Sequence, residues 1–490
     1  MTSLPNYYAI LGVDPEATPE EVHAAAKRLG EKFPEDARDP SVNVAFRQLV
    51  EAYEVLSDPE RRATYDEQLA VQSAEALDIT IHTSRDAIEA LDTEQLFYIL
   101  IDVRAPTQTT RQRLPINLCL VFDHSTSMRG ARLERVKSAA RQVVEKLSPE
   151  DMLSVIGFSD RAKVVFPAGP IENRSSLISR INTMRASGGT EIFQGLQAGM
   201  EQLRQVPLQQ YVDHLVLMTD GHTYGDEEQC LQLSTEAAAD GVTFSAFGLG
   251  TDWNDRFLDE LVAPSGGRST YIEKAAHIVD YLEDQIQGLG AIYAKEVRLL
   301  NELPAAVKIR YLMKFSPFSQ PLERRAEVIS LGAVEGRAPL SILMELLIDC
   351  QQPGTAIKIP LPLVARIPSR ETTELTFDEV VTVNVVAERP KQEPPAAVIN
   401  AVQMLNLYRM NEQALQDLEA GRIEAATQRM ERLATRLMEA GHTELAQDAM
   451  RETQRLYRAG TVSGEGRKKI KYGTRTLMSE TIRFIEDGSV

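Results

Sequence analysis

The chain has 490 residues, more than one hydrophobic core usually organises, so it should contain several domains. Its apolar fraction of 43% and charged fraction of 25% are ordinary for a folded globular protein. Its net charge of −18 argues against nucleic acid or an anionic membrane as the main partner.

The lack of a recognisable secretory signal and the pattern of cysteines both predict a cytoplasmic protein. The N-terminus, MTSLPNYYAI, lacks the basic and apolar regions of a secretory signal, and no apolar run approaches the ~18–20 residues that cross a bilayer. Cys119, Cys230 and Cys350 are far apart, odd in number and mostly within apolar stretches. We interpret them as reduced core residues.

Residues 1–70 are predicted to form a small helical domain. Thr18, Pro19 and Glu21 combine an N-cap, a first-turn proline and a capping-box glutamate. Apolar side chains then recur at helical spacing in two segments, which can pack antiparallel. They are Val22, Ala26, Leu29 and Phe33, followed by Phe46, Leu49, Val50, Tyr53 and Leu56.

The stretches NYYAILGV and AFRQLVEAYEVLSDPERRATYD, with the spacing between them, resemble the J-domain of DnaJ-type co-chaperones. The resemblance implies contact with a heat-shock chaperone, whose ATP hydrolysis that family triggers through a His-Pro-Asp motif. Here Lys32 to Asp36 reads KFPED, without histidine, and acidic residues outnumber basic ones across the domain. We expect a degenerate J-like domain that serves in docking or packing; an active co-chaperone is the alternative.

Residues 77–114 contain two alternating runs, LDITIH and LFYILIDV, joined by a polar loop. Such alternation predicts half-buried antiparallel strands. Pro106 to Pro115 follows as a polar crossover into the next domain.

Residues 115–293 begin with an apolar run, LCLVFDHSTSM, that ends in polar residues at alternate positions. An unbroken apolar run of this length predicts a strand buried on both faces of a parallel sheet. Ligands bind at the carboxyl ends of such strands, where Asp123, Ser125 and Ser127 would lie. Hard oxygen ligands of this kind suit Mg²⁺ or Mn²⁺.

Two later stretches strengthen this interpretation. SGGTE opens an amphipathic helix and places Thr190 at the end of a surface loop, and HLVLMTDG is a second buried run that ends in Asp220. In order and context the three stretches resemble the metal-ion-dependent adhesion site of the von Willebrand factor A family. The resemblance implies a metal shell made of Asp123, Ser125, Ser127, Thr190 and Asp220, some acting through water. A vestigial site is the alternative.

After Ser127, helix and strand patterns alternate as in a doubly wound sheet. His124 and His222 lie at the same end of the sheet but are interpreted as loop residues, because the oxygen set is already complete. Trp253, the only tryptophan, is either an interface residue or packs against a neighbouring helix.

Residues 294–388 contain strand-like runs separated by turns, the pattern of a β-sandwich. Since the strands of residues 77–114 lack partners of their own, we predict that they complete this sandwich. The predicted fold class is therefore multidomain: a helical J-like domain, a doubly wound α/β domain inserted in a β-sandwich, and C-terminal helices.

Residues 396–460 follow the linker ERPKQEPP as three helices that end near Gly421, Gly441 and Gly460, since glycine just beyond a helix is a C-cap signal. They form either helical-repeat hairpins or a simple bundle. Residues 461–490 form a basic tail, RKKIKYGTRTLM, interpreted as a docking segment with exposed threonines or as a solvated end.

The chain shows no phosphate-binding loop, HExxH motif or nucleophile elbow, so we expect no catalytic residues and no enzyme. We predict a cytoplasmic, bacterial scaffold in which Mg²⁺ (or Mn²⁺) binds an Asp or Glu supplied by a partner protein. The alternatives are an accessory subunit of a chaperone, an AAA+ ATPase or a kinase–phosphatase system.

Overall fold

The structure, a computed structural model, describes the chain from residue 7 to residue 486 with several gaps. The described ranges are residues 7–13, 17–33, 44–74, 76–106, 113–208, 210–223, 225–349, 352–368, 374–388 and 393–486. Cys350 and most of the KFPED stretch, residues 34–36, lie outside them.

Helices and strands are numbered in chain order. The helices are α1 Tyr7–Leu11, α2 Pro19–Gly30, α3 Val44–Leu56, α4 Pro59–Ala74, α5 Ala131–Lys146, α6 Arg174–Asn182, α7 Ile192–Leu203, α8 Glu227–Ala239, α9 Asp255–Val262, α10 Ile278–Gly290, α11 Ala396–Glu419, α12 Ile423–Glu439, α13 Thr443–Ala459 and α14 Gly464–Glu486. The strands are β1 Asp78–Thr83, β2 Ala87–Glu89, β3 Gln95–Arg104, β4 Ile116–Asp123, β5 Met152–Phe158, β6 Ala162–Pro170, β7 Val212–Thr219, β8 Thr243–Leu249, β9 Ser269–Ile272, β10 Ile292–Leu300, β11 Val307–Ser316, β12 Gln320–Pro321, β13 Val328–Glu335, β14 Leu340–Ile348, β15 Ala356–Arg366 and β16 Glu374–Val386.

The N-terminal domain consists of α1 to α4 around one apolar core. The predicted capping box is present: the Thr18 hydroxyl accepts from the Glu21 amide, and the Glu21 carboxylate accepts from the Thr18 amide. The amphipathic stripes of α2 and α3 meet as predicted, through Val22, Leu49 and Leu56. Because α1 and α4 also pack on this core, the domain has four described helices rather than the two that periodicity indicated.

Two five-stranded sheets form a β-sandwich, ordered β1-β3-β14-β11-β12 and β13-β10-β15-β16-β2. The first sheet therefore joins strands from both sides of the α/β domain, and β3 pairs antiparallel with both β1 and β14. The short strand β2, which the sequence did not indicate, lies in the polar loop between them and pairs with β16. The α/β domain is thus inserted in the sandwich.

The inserted domain has a six-stranded sheet ordered β6-β5-β4-β7-β8-β9, parallel except for β6. One apolar cluster packs α5, α6 and α10 on one face, and another packs α7, α8 and α9 on the other. Strands β4 and β7 are buried along their whole length, as their unbroken apolar runs predicted. Their carboxyl ends lie side by side and carry Asp123 and Asp220.

The C-terminal region contains α11, α12 and α13, which are separated by glycines with φ of +74° at Gly421 and +85° at Gly441. This left-handed backbone satisfies the helix-end carbonyls and favours glycine. Helix α14 packs against α11 and α13, and it also contacts the α/β domain. No helix in the described part of the chain is long and apolar enough to cross a membrane.

Residues 464–479 of the basic tail are packed rather than solvated, and the threonines among them are not all exposed. Residues 464–479 lie within α14, where Lys468, Lys471, Thr474 and Arg475 are at most 5% exposed. The cations occupy one helical face. Lys471 and Arg475 pair with carboxylates of α9 and Lys468 donates to the Thr251 carbonyl, so their burial is compensated by protein partners rather than by water.

Lys314 gives the fold a predicted pH dependence. Its ammonium donates to the Gly266 carbonyl across the interface between the two domains and lies 4.0 Å from the centre of the Phe318 ring, and burial lowers its pKa to about 7. A lysine whose pKa is lower in the folded state than in the unfolded state adds stability as pH rises from 7 towards 10.5. As pH rises above 7, denaturant unfolding should therefore show the free energy of unfolding of the Lys314→Met variant falling relative to that of the parent, by up to about 1.4 kcal/mol for each pH unit. Parallel pH profiles would contradict this assignment.

Candidate functional site

The loop after β4 is organised around the buried carboxylate of Asp123. Oδ1 of this residue accepts from the Ser125 amide at 2.7 Å, and Oδ2 accepts from the Thr219 hydroxyl at 2.7 Å. Thr219 is the last residue of β7, so the bond joins the ends of the two neighbouring strands. Asp123 is 0% exposed, so these two hydrogen bonds hold the loop from inside the domain.

Two hydroxyl side chains connect this loop to Asp220. Ser125 Oγ lies 2.9 Å from Ser127 Oγ, and the Ser127 hydroxyl donates to Asp220 Oδ1 at 2.7 Å. Arg132, in the first turn of α5, donates to Asp220 Oδ2 at 2.5 Å, and 38% of its side chain is exposed. Asp123, Ser125, Ser127 and Asp220 are therefore within one hydrogen-bonded group, as their positions in the sequence predicted.

Thr190 lies beside this group, at the end of the loop before α7, but it is buried rather than on the surface. It is 5% exposed, and a β-carbon built on Gly221 would lie 3.4 Å from its hydroxyl oxygen. The Thr223 hydroxyl and the Asp226 carboxylate, which follow Asp220 in the chain, accept from the first amides of α7. The helix start is thus held beside the two carboxylates.

The donor set fits a hard divalent cation. It combines two carboxylates with three hydroxyls and contains neither sulfur nor imidazole, and Mg²⁺ typically takes one or two carboxylates and keeps several waters. Burial, together with the nearby Asp220 carboxylate, raises the pKa of Asp123, so a cation here would relieve an unfavourable pair of acids. Among the described residues, no group of three or more His, Cys, Asp and Glu side chains could hold a metal, so the hydroxyls are essential to this assignment.

The other residues singled out at this end of the sheet have structural or peripheral positions. His222 is exposed and His124 is half-buried against Gly157. Trp253 is 2% exposed, donates to the Gly250 carbonyl at 2.8 Å, and packs its ring against Tyr472 of α14. Trp253 was interpreted either as an interface residue or as packing against a neighbouring helix, and the structure favours the second interpretation.

Sequence reasoning missed Arg132 and Thr219, which hold the two carboxylates in place. Thr219 could have been found, since it precedes Asp220 at the carboxyl end of a buried strand. Arg132 gives no local signal, because many helices carry an arginine in the first turn.

Three domain families match separate parts of the chain. The DnaJ domain matches residues 6–66, the von Willebrand factor type A domain matches residues 117–285, and the family described as Sll0103-like, C-terminal alpha-helical domain matches residues 396–480. The chain therefore contains a von Willebrand factor type A domain and an N-terminal DnaJ domain. Together they indicate a role in protein interaction or alongside a chaperone.

Relatives differ in how much of the chain they cover. Protein sll0103 of Synechocystis sp. is 29% identical over 353 residues, which are 70% of this chain and 84% of the relative. Chaperone protein DnaJ of Carboxydothermus hydrogenoformans is 50% identical over 64 residues, which are 13% of this chain and 17% of the relative. The likeness to that chaperone thus ends with the N-terminal domain.

Solved structures share the fold of the larger part of the chain. The von Willebrand factor type A protein from Catenulispora acidiphila aligns with a TM-score of 0.65 at 16% identity, covering 82% of this chain and 96% of that one. The ArnB paralog VWA2 from Sulfolobus acidocaldarius aligns with a TM-score of 0.54 at 14% identity, covering 82% and 99%.

Proposed function

We propose that this protein is a non-enzymatic scaffold whose von Willebrand factor type A domain binds Mg²⁺ and, through it, an Asp or Glu of a partner protein. Asp123, Ser125, Ser127, Thr190 and Asp220 would hold the cation. When bound, the metal supplies a positive position that only an ionised acid can occupy well, which gives the contact direction and pH dependence. A cytoplasmic, bacterial setting belongs to the same proposal.

The observation that carries the proposal is the continuous hydrogen-bonded group at the ends of β4 and β7. Asp123 and Asp220 are buried, whereas Ser127 between them is exposed, so the group is built from inside the domain and opens to solvent at one hydroxyl. If Asp123 and Asp220 only stabilised the fold, they would not need a hydroxyl partner that is exposed to solvent.

We expect partner binding to require both the metal and the helix start at Thr190. The chain would be immobilised, its partner captured and identified from the parent cells, and the affinity of the purified pair measured with Mg²⁺ and with EDTA. Removing the cation, or changing Thr190→Ala, should weaken the complex by about 2–5 kcal/mol, which is roughly thirty- to several-thousand-fold. This is the cost of losing a charge-assisted contact at a desolvated interface.

Thr435→Ala is the matched control for this experiment. Thr435 is an exposed threonine on α12, where its hydroxyl donates to the Glu431 carbonyl at 3.0 Å, far from the candidate site in the sequence and in the fold. It should leave the affinity unchanged. A complex that keeps its affinity in EDTA would show that the metal does not contact the partner.

The DnaJ domain favours one competing function, that of a co-chaperone. We infer that it does not stimulate a heat-shock chaperone, because KFPED carries no histidine where that family has His-Pro-Asp. Its exposed charges are also mixed: α2 has Glu20 and Glu21 in its first turn and Lys27 and Arg28 in its last. The fold would then be kept for docking.

A steady-state ATPase assay distinguishes the two functions. Purified full-length protein, added to the heat-shock chaperone of the same cells, should leave the ATPase rate at its basal value. The DnaJ protein of those cells serves as the positive control. A several-fold stimulation would favour the co-chaperone.

A further inference from the structure

Helix α14 contacts the α/β domain next to the candidate metal site. Lys468 is 4% exposed, and its ammonium donates to the Thr251 carbonyl at 2.6 Å. The same ammonium lies 4.8 Å from the centre of the Trp253 ring. Both contacts are to the loop that follows β8, whose carboxyl end adjoins that of β7 and hence Asp220.

The loop is in turn connected to Asp220 through Arg132. Gly250 has φ of +72°, and a β-carbon at this position would lie 2.9 Å from Arg132 Nη2. The glycine therefore lets the guanidinium pass close to the loop backbone while its other nitrogen reaches Asp220. A contiguous series of contacts runs from Lys468 to the loop, to Arg132 and to Asp220.

The Trp253 ring of this loop packs against both the sheet and α14, so a displacement of the helix would also affect the loop. The Trp253 ring lies against Gly248 so closely that a β-carbon there would be 2.0 Å from it. Its other neighbours are Tyr271 of β9 and Tyr472 of α14, with ring centres at 6.3 and 5.8 Å. A shift of α14 would thus change the packing of Trp253 and the position of the loop together.

We infer that Lys468 is a positioning residue for the metal site: by anchoring the loop of residues 250–254 to α14, it holds Arg132 and Asp220 in the arrangement that accepts the cation. This inference rests on the proposed function. Coupling of this kind is reciprocal, so the cation should in turn stabilise the docked helix.

The electrostatic effect of removing Lys468 has the opposite sign to the positioning effect. Loss of a positive charge near a cation site should tighten Mg²⁺ binding through Coulomb interaction alone. If Lys468 positions the site, Lys468→Met should instead weaken Mg²⁺ binding, by about 3- to 30-fold. The direction of the change therefore separates the two explanations.

Titration calorimetry with Mg²⁺ alone tests the inference on the full chain. Lys468→Met should weaken binding and Lys468→Arg should restore most of it. Lys469→Met is the matched control, because Lys469 is on the same helix and pairs with Glu273 and Glu465 but not with the loop of residues 250–254. Equal losses in the Lys468→Met and Lys469→Met variants, or unchanged binding in both, would overturn the inference.

Hydrogen exchange on the unmodified protein provides a second measurement that needs no variant. Mg²⁺ should slow amide exchange in residues 464–479 and in residues 250–254, with no change in α12. Protection confined to the loops that carry Asp123, Thr190 and Asp220 would overturn the inference and leave the metal site standing. If the unmodified protein does not bind Mg²⁺ at all, the proposed function fails first, and the two failures are distinct.

Discussion

Asp259→Ala is expected to destabilise the protein by about 3–5 kcal/mol, because it removes the carboxylate that faces two buried cations. Asp259 Oδ2 accepts from Arg475 at 2.6 Å and from Lys471 at 2.8 Å, and the side chains of these cations are 4% and 6% exposed. Burial alone would raise the pKa of Asp259, but the two cations outweigh it and hold the pKa below its ordinary value. The substitution would leave Arg475 with no carboxylate partner among the described residues, and Lys471 with Asp255 alone.

Glu260→Ala is the matched control, since Glu260 is the next residue of α9. It pairs with Arg256 at 2.9 Å, but the two side chains are 49% and 81% exposed, and exposed pairs contribute little. Urea unfolding of both variants should show a large loss in the free energy of unfolding for Asp259→Ala and a loss of less than about 0.5 kcal/mol for Glu260→Ala. Equal shifts would mean that the buried network does not hold α14 to the domain.

The sequence was sufficient to predict that the two carboxylates of the candidate site meet. Asp123 and Asp220 each follow an unbroken apolar run, and parallel buried strands bring such ends to one edge of a sheet. No tertiary information was needed for that step. Thr190 differs: the sequence predicted its place at a helix start, but its burial depends on tertiary packing, since Gly221 lies against its side chain.

The sequence did not predict the role of the C-terminal cations. Lys468, Lys471 and Arg475 are spaced to lie on one face of a helix, yet the same pattern describes a solvated cationic face. Only the tertiary arrangement shows that α14 meets Asp255 and Asp259, and that Trp253 packs against Tyr472 of that helix. The charge pattern predicts a cationic helix face, but only tertiary packing determines whether that face is buried.

The substitution pair Asp123→Ala and Asp220→Ala is expected to abolish Mg²⁺ binding. It removes both carboxylates of the candidate shell and leaves three neutral hydroxyls, which cannot compensate the cost of dehydrating the cation. The sheet should remain folded, because β4 and β7 keep their backbone pairing and their apolar neighbours. Circular dichroism and the thermal midpoint check that condition before the titration.

Glu145→Ala combined with Asp280→Ala provides a control with the same change in net charge. Both residues are exposed on the same domain and lie outside the candidate shell. This control removes the argument that the loss of two acidic groups weakens Mg²⁺ binding by general electrostatics. Any effect should be small and should disappear at higher salt.

Titration calorimetry of Mg²⁺ tests the central claim most directly when it compares three proteins: the unmodified protein, the variant at Asp123 and Asp220, and the control at Glu145 and Asp280. We predict a single site in the unmodified protein, the same site in the Glu145 and Asp280 control, and no binding heat in the Asp123 and Asp220 variant. Unchanged Mg²⁺ affinity in the Asp123 and Asp220 variant would contradict the account, because the cation would then bind somewhere other than the ends of β4 and β7.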